Sequence, residues 1–169
     1  MDSLYLHLVL NHFPVIGTLI GIAALILGFV TRSDAVKRTS LGILLGMALM
    51  TIPVYLTGEP AEERVENAVG VSKPLLEEHE DAAAFAFAAM GLSGVIALAA
   101  LLISFRAGKY ANVGFAATLI VSLVAFGLIA QTAGLGGQIR HAEIRSGTSQ
   151  TTTDSETKQK DRKKDDDHD

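Results

Sequence analysis

Four stretches of this chain, residues 14–30, 40–56, 82–105 and 113–133, contain no charged side chain. An α-helix rises ~1.5 Å per residue and the hydrocarbon core of a bilayer is ~30 Å thick, so each stretch is about one membrane crossing long. A charge at the bilayer centre costs roughly 2.5–3.5 kcal/mol on insertion scales, so four charge-free windows of this size are a strong constraint. The apolar content, 49%, is close to that of an average soluble domain. What sets the chain apart is segregation: the charges crowd into the connections and the C-terminal end. The expected fold is an all-α integral membrane four-helix bundle over residues 1–145.

From Ser146 onward the chain has no aliphatic residue and is rich in Thr, Ser, Lys and Asp. Such a segment cannot bury enough apolar area to offset its ordering entropy. Residues 146–169 are therefore expected to form a disordered hydrophilic tail. The start, Met1-Asp2-Ser3, lacks the positive region of a cleavable signal peptide, so the first apolar run is expected to be retained. There are no cysteines, which excludes disulfides, thiolate metal sites and thioether-linked haem. A net charge of −4 offers no basic patch for nucleic acid.

Local signals divide the chain further. Pro14 suits the first turn of a helix, so the first span is expected to start there, with a short interfacial or re-entrant helix before it and Ser3 as its cap. Gly58-Glu59-Pro60 is expected to stop the second helix. An amphipathic segment from Ala61 to Val69 would then lie on the rim of the bundle. Ser72-Lys73-Pro74 starts the third helix, which runs on through Glu77-Glu78-His79-Glu80-Asp81 into the span at Ala82. Gly134 to Gly137 is expected to break the fourth helix and let the chain fold back, since glycine admits backbone conformations closed to other residues. Small residues recur with helical phase at Pro14, Gly17, Gly21, Ala24 and Gly28, at Gly42 and Gly46, and at Ala82, Ala86, Ala89 and Ser93. In lipid these are the faces where helices approach closely, inside the bundle or between copies.

Arg32, Lys37 and Arg38 in the first connection and Arg106 and Lys109 in the third share one side. The excess of basic residues in short loops places that side in the cytoplasm and both termini outside. The longer connection from Glu59 to Asp81 holds eight acidic residues and belongs to the outer face.

Four of the five histidines, His7, His12, His79 and His141, fall at that same face. His79 continues the small-residue stripe of the third span and so is expected to point at a neighbouring helix. Neutral imidazole is the ligand form for metals and haem iron. Two cofactor arrangements follow. In one, a b-type haem sits in the bundle with His79 paired to His12 or His141. In the other, His12, His79, His141 and a carboxylate such as Glu59 or Glu78 hold a divalent transition metal. His7 and His12 are five residues apart and do not share one face of a regular helix. Interfacial hydrogen bonding to backbone or headgroups is the alternative role for any one of them.

Three segments carry a family resemblance. His7-Leu8-Val9-Leu10-Asn11-His12-Phe13-Pro14, Gly58-Glu59-Pro60-Ala61-Glu62-Glu63 with Glu78-His79-Glu80, and Gly136-Gly137-Gln138-Ile139-Arg140-His141 resemble the signatures of the bacterial membrane family called domain of unknown function 2231. Leu8 stands where that family often has proline. The resemblance covers about residues 4–145. It implies a four-span bundle in the bacterial inner membrane and, through similar domains fused to cytochrome c-like modules, redox work at the outer face with a cytochrome c-like partner. The function expected is electron transfer by a membrane protein that is not an enzyme on its own. The alternative is a non-catalytic accessory subunit of a larger membrane complex. A transporter fits less well, because substrate pathways usually need a charge near the midplane.

Overall fold

A computed structural model describes residues 2–66, 68, 71–106 and 108–141. Its elements are α1 (Ser3–Leu10), α2 (His12–Val30), α3 (Asp34–Val65), α4 (Lys73–Arg106) and α5 (Gly108–Arg140). No strand occurs among the described residues, and the fold is an all-α four-helix bundle in which α1 leads directly into α2. The tail expected from Ser146 onward lies outside the described residues.

Four helical segments are long and apolar enough to cross a membrane: Ser3–Val30, Asp34–Val65, Lys73–Arg106 and Tyr110–Ile139. Large apolar side chains such as Leu19, Leu27, Val95, Leu102, Val113, Ile120 and Val124 face outward and are about half or more exposed. In water so much exposed apolar surface would drive aggregation; against acyl chains it costs nothing. The chain is a multi-pass membrane protein. The three long helices contain 32, 34 and 33 residues, about 50 Å at ~1.5 Å per residue. They overrun the hydrocarbon core, and the overrun at one end is acidic: Glu59 to Glu66 on α3 and Lys73 to Asp81 on α4 stand outside the spanning segments.

Small residues set the packing. Gly17 and Gly21 of α2 lie against Met47 and Leu44 of α3, and Gly28 lies against Lys37. Gly94 of α4 meets Ala48 of α3, and Gly114 of α5 meets Ala100 of α4. Around these contacts Leu25, Leu41, Leu44, Ala97 and Phe115 form one buried cluster, and Ala48, Ala86, Met90, Ala125 and Ile129 a second. Buried hydroxyls find partners: Ser93 and Ser122 share a 2.8 Å hydrogen bond between α4 and α5.

The end where α2 turns into α3 is tied by cations. Lys37 is 5% exposed. Its ammonium pairs with Asp34 at 2.7 Å, donates to Asn112 Oδ1 at 3.1 Å and lies over the Phe115 and Phe29 rings. Arg38 donates to the Ser104 carbonyl at 2.8 Å and stacks over Phe105. Together they join all four spanning helices.

Four local expectations are corrected. The short helix expected before Pro14 is α1, and Pro14 lies in the first turn of α2, but Ser3 is not the cap of α1. Asp2 caps α1, with its carboxylate accepting from Leu4 N–H, and the chain is helical again from His12. The junction remains because Pro14 has no N–H to return to the Leu10 carbonyl. Gly58-Glu59-Pro60 does not stop α3, which continues to Val65 with Pro53 and Pro60 inside it. A mid-helix proline costs ~3 kcal/mol or more. Here α1 docks on that stretch through Ser3 Oγ to the Pro60 carbonyl, Asp2 to Arg64, and His7 to Val54. In consequence Ala61 to Val65 extends α3 instead of lying on the rim, and Ala61 is buried. Gly134 to Gly137 do not break α5, which reaches Arg140. Gly42 and Gly46 meet no other helix of the bundle, since nothing lies within 4 Å of where their Cβ atoms would be; for this pair the contact between copies is the expectation that stays open.

Candidate functional site

The antiparallel course of the helices gathers α1, the start of α2, the end of α3, the start of α4 and the end of α5 at one end of the bundle. All four histidines expected there are at that end, but they divide into two kinds. His7 and His79 are half-buried, whereas His12 and His141 are exposed.

His7 projects from α1 onto α3. Its Nδ1 lies 3.1 Å from the Val54 carbonyl and 3.3 Å from Thr57 Oγ1. A carbonyl only accepts, so Nδ1 carries the proton. The Thr57 hydroxyl donates to the Pro53 and Val54 carbonyls at 2.9 Å, which leaves its lone pairs for His7. Nε2 of His7 is thereby the basic nitrogen. His79 projects from α4 onto α5 in the same manner. Its Nδ1 lies 2.9 Å from the Thr132 carbonyl, which again fixes the proton on Nδ1 and leaves Nε2 basic.

The two settings repeat one another. His7 takes the carbonyl of Val54 and packs against Gly58, four residues on; a methyl group at Gly58 would sit 3.7 Å from His7 Cε1. His79 takes the carbonyl of Thr132 and packs against Gly136, also four residues on; a methyl group there would sit 3.1 Å from His79 Cε1. Each helix hairpin thus places a histidine from near the start of its first half on a carbonyl and a glycine, one turn apart, near the end of its second half. Burial pushes the His79 pKa below the usual histidine value; the Thr132 carbonyl acts against this, and a charge on His7 acts with it. The two imidazoles are within electrostatic reach of each other.

The other sequence candidates are placed differently. His12 Nδ1 bonds the Leu8 carbonyl at 2.8 Å within its own helical run, and its ring faces away from the bundle. His141 ends α5, its N–H donating to the Gly137 carbonyl. The expected convergence of His12, His79 and His141 is not observed: among the described residues no three His, Asp or Glu side chains gather to hold a metal. The reason is helical phase. α5, unbroken through its glycines, does not fold back before His141, and the five residues from His7 to His12 turn the two side chains ~140° apart around a helix. Glu78 is exposed. Glu59 lines a cleft of about 260 Å³ between the extensions of α3 and α4, with Glu62, Glu63, Glu66, Lys73, Leu76, Glu77 and Glu80.

Among the described residues the acidic cleft has one internal ion pair, Lys73 to Glu66 at 2.8 Å. Burial, with Glu80 and Glu59 adding repulsion, raises the Glu62 carboxyl to about 7. Sequence reasoning missed the role of Val54, Gly58, Thr132 and Gly136. The available signal was a glycine near the end of the second helix of each hairpin, and both were read as helix breakers. No family model, curated protein or solved structure matches this chain.

Proposed function

We propose that this chain is a membrane electron-transfer protein in which His7 and His79 would hold a b-type haem. One observation carries the reading: two half-buried imidazoles on different helix hairpins are held in the same tautomer by equivalent carbonyls. The donor set fits the group. A histidine that ligates through Nε2 usually donates Nδ1–H to a carbonyl or carboxylate, which fixes the ring and raises its basicity. Two imidazoles would complete the protein ligand set of such a haem, whereas a bare transition ion generally takes three or four protein ligands. This favours His7 with His79 over the pairings of His79 with His12 or His141. When bound, haem supplies a one-electron couple tuned by its axial ligands and the surrounding dielectric. The chain's part is to hold each ring on a rigid helix, one from each hairpin, in low-dielectric surroundings.

In this reading the histidine end faces outward from a bacterial inner membrane, because the short basic connections lie at the opposite end. The acidic rim around Glu59, Glu62, Glu63 and Glu80 would attract a basic cytochrome c-like partner. The resemblance to the domain of unknown function 2231 family agrees with this assignment.

Protein produced with haem supplementation and purified in detergent is expected to show the absorption bands of a six-coordinate b-type haem. His7→Ala and His79→Ala should each abolish them, and His12→Ala should leave them intact. A wild-type protein that gives no spectral change on titration with haemin would overturn the proposal, as would loss of haem in His12→Ala alone. Bound metal without a haem spectrum would replace it with the metal-ion variant.

A second reading, an accessory subunit of a membrane complex, is favoured by the outward-facing Gly42 and Gly46. Two glycines one turn apart make a shallow groove on α3 that a helix of another chain could fill.

A further inference from the structure

The two histidine settings match in hydrogen bonding but differ in clearance, and the difference assigns a residue. We propose that Gly136 is the positioning residue for His79: its bare backbone is the surface on which the imidazole lies, and that surface holds Nδ1–H on the Thr132 carbonyl with Nε2 presented to a ligand. The proposal rests on the reading of His79 as a haem ligand only where haem affinity is measured.

The geometry is specific. A methyl group at Gly136 would meet His79 at 3.1 Å from Cε1, 3.5 Å from Nδ1 and 3.9 Å from Nε2. The ring therefore lies alongside the α5 backbone, with three of its atoms within reach of that one position. Its anchor, the Thr132 carbonyl, belongs to the same helix four residues earlier, so α5 supplies both the bond that orients the ring and the space it occupies. α5 is a continuous helix here, Gly108–Arg140, so Gly136 is not required as a turn or a terminator. A glycine inside a helix costs roughly 0.5–1 kcal/mol relative to alanine, and the space it leaves for His79 accounts for its presence. At Gly58 the corresponding clearance is 3.7 Å, an ordinary van der Waals contact, so His7 would tolerate a methyl group. The two glycines are alike in sequence context and unlike in consequence.

Gly136→Ala and Gly58→Ala form the test. In full-length protein labelled with 15N-histidine, in detergent and without haem, wild-type His79 is expected to give the nitrogen shifts of a single Nδ1–H tautomer. Gly136→Ala should move these toward a mixture of tautomers, and Gly58→Ala should leave the shifts of His7 in place. On titration with haemin, Gly136→Ala should bind about tenfold or more weakly, the range for loss of an orienting contact. Gly58→Ala should change affinity by no more than about twofold. Unchanged His79 shifts in Gly136→Ala would overturn the proposal.

If Gly136→Ala is too unstable for spectroscopy, thermal unfolding of Gly136→Ala, His79→Ala and the double variant decides. Removing the ring should make the added methyl harmless, so the double variant should match His79→Ala. If Gly136→Ala lowers Tm equally with or without the ring, the glycine serves α5 itself and the proposal fails. Displaced His79 shifts in a protein that binds no haem would retain the positioning role and remove the haem reading.

Discussion

At the scale of single residues, the clearest departure from ordinary backbone is Arg32, with φ of 52°. It closes α2 in a Schellman arrangement: Ser33 N–H returns to the Gly28 carbonyl at 3.0 Å and Arg32 N–H to the Phe29 carbonyl at 3.2 Å. The left-handed position in that motif is usually glycine, because a β-carbon there crowds the following carbonyl. Arg32→Gly is therefore expected to stabilise the fold by about 1 kcal/mol, read as a rise in Tm in detergent. A fall would mean that the exposed guanidinium makes a contact worth more than the relief of the backbone. The same residue scale shows what the sequence left open. His7 and His12 read alike as histidines ahead of a span, yet one is hydrogen-bonded to α3 and the other faces outward.

At the scale of elements, what holds helices together here is close approach, with hydrogen bonds secondary. Gly28 and Ser93 make the comparison. A methyl group at Gly28 would lie 2.9 Å from the Lys37 backbone nitrogen and 2.6 Å from its Cγ, and the backbone cannot yield as a side chain can. Gly28→Ala is expected to cost about 1–3 kcal/mol through overpacking, separating α2 from α3 where Lys37 is caged. Ser93→Ala removes one interhelical hydrogen bond, for which membrane proteins average only ~0.6 kcal/mol. Chemical unfolding in mixed micelles would rank the two. If Ser93→Ala proved the more damaging, the hydroxyl pair at the bundle centre would be the dominant tie. The phase of the small residues along α2 was legible in the sequence, and it does face α3. The pair Gly42 and Gly46 has the same spacing but faces away. Spacing defines a face and leaves its partner undefined.

At the scale of the whole molecule, the two ends of the bundle are built on opposite electrostatics. One is closed by Lys37 and Arg38 with aromatic and carbonyl partners. The other carries carboxylates with few counter-charges, and Glu62 bears the consequence. Its pKa rises from the ordinary glutamate value of 4.5 to about 7 in the folded protein. The folded state thus holds a proton that the unfolded chain releases above pH 4.5, and between those values stability falls as pH rises. Above about pH 7 both states are ionised and the dependence ends. Wild-type Tm is expected to decline between pH 5 and 7 more steeply than that of Glu62→Gln, which keeps the shape of the side chain and loses the titration. Equal slopes would show that Glu62 is solvated as in the unfolded chain. Glu59 and Glu80, whose charges contribute to the shift, should reduce it when replaced by glutamine.

Membrane insertion is close to additive along the chain: each residue contributes its transfer free energy and the sum over about 20 positions decides. For that reason the four crossings, the acidic rim and the placement of His7, His12, His79 and His141 at one end followed from the sequence by itself. Helix ends and side-chain partners are not additive. The bonds that orient His7 and His79 join residues 47 and 53 positions apart, and no local signal encodes such distances. Gly58 and Gly136 have the local character of helix breakers, and in isolation the chain would tend to end a helix there. Docking of α1 on α3, and of the His79 ring on α5, offsets that tendency and turns both glycines into packing surfaces. Tertiary contact alone therefore set His7 on α3 and left His12 exposed, because it fixed the phase of each helix against its neighbour.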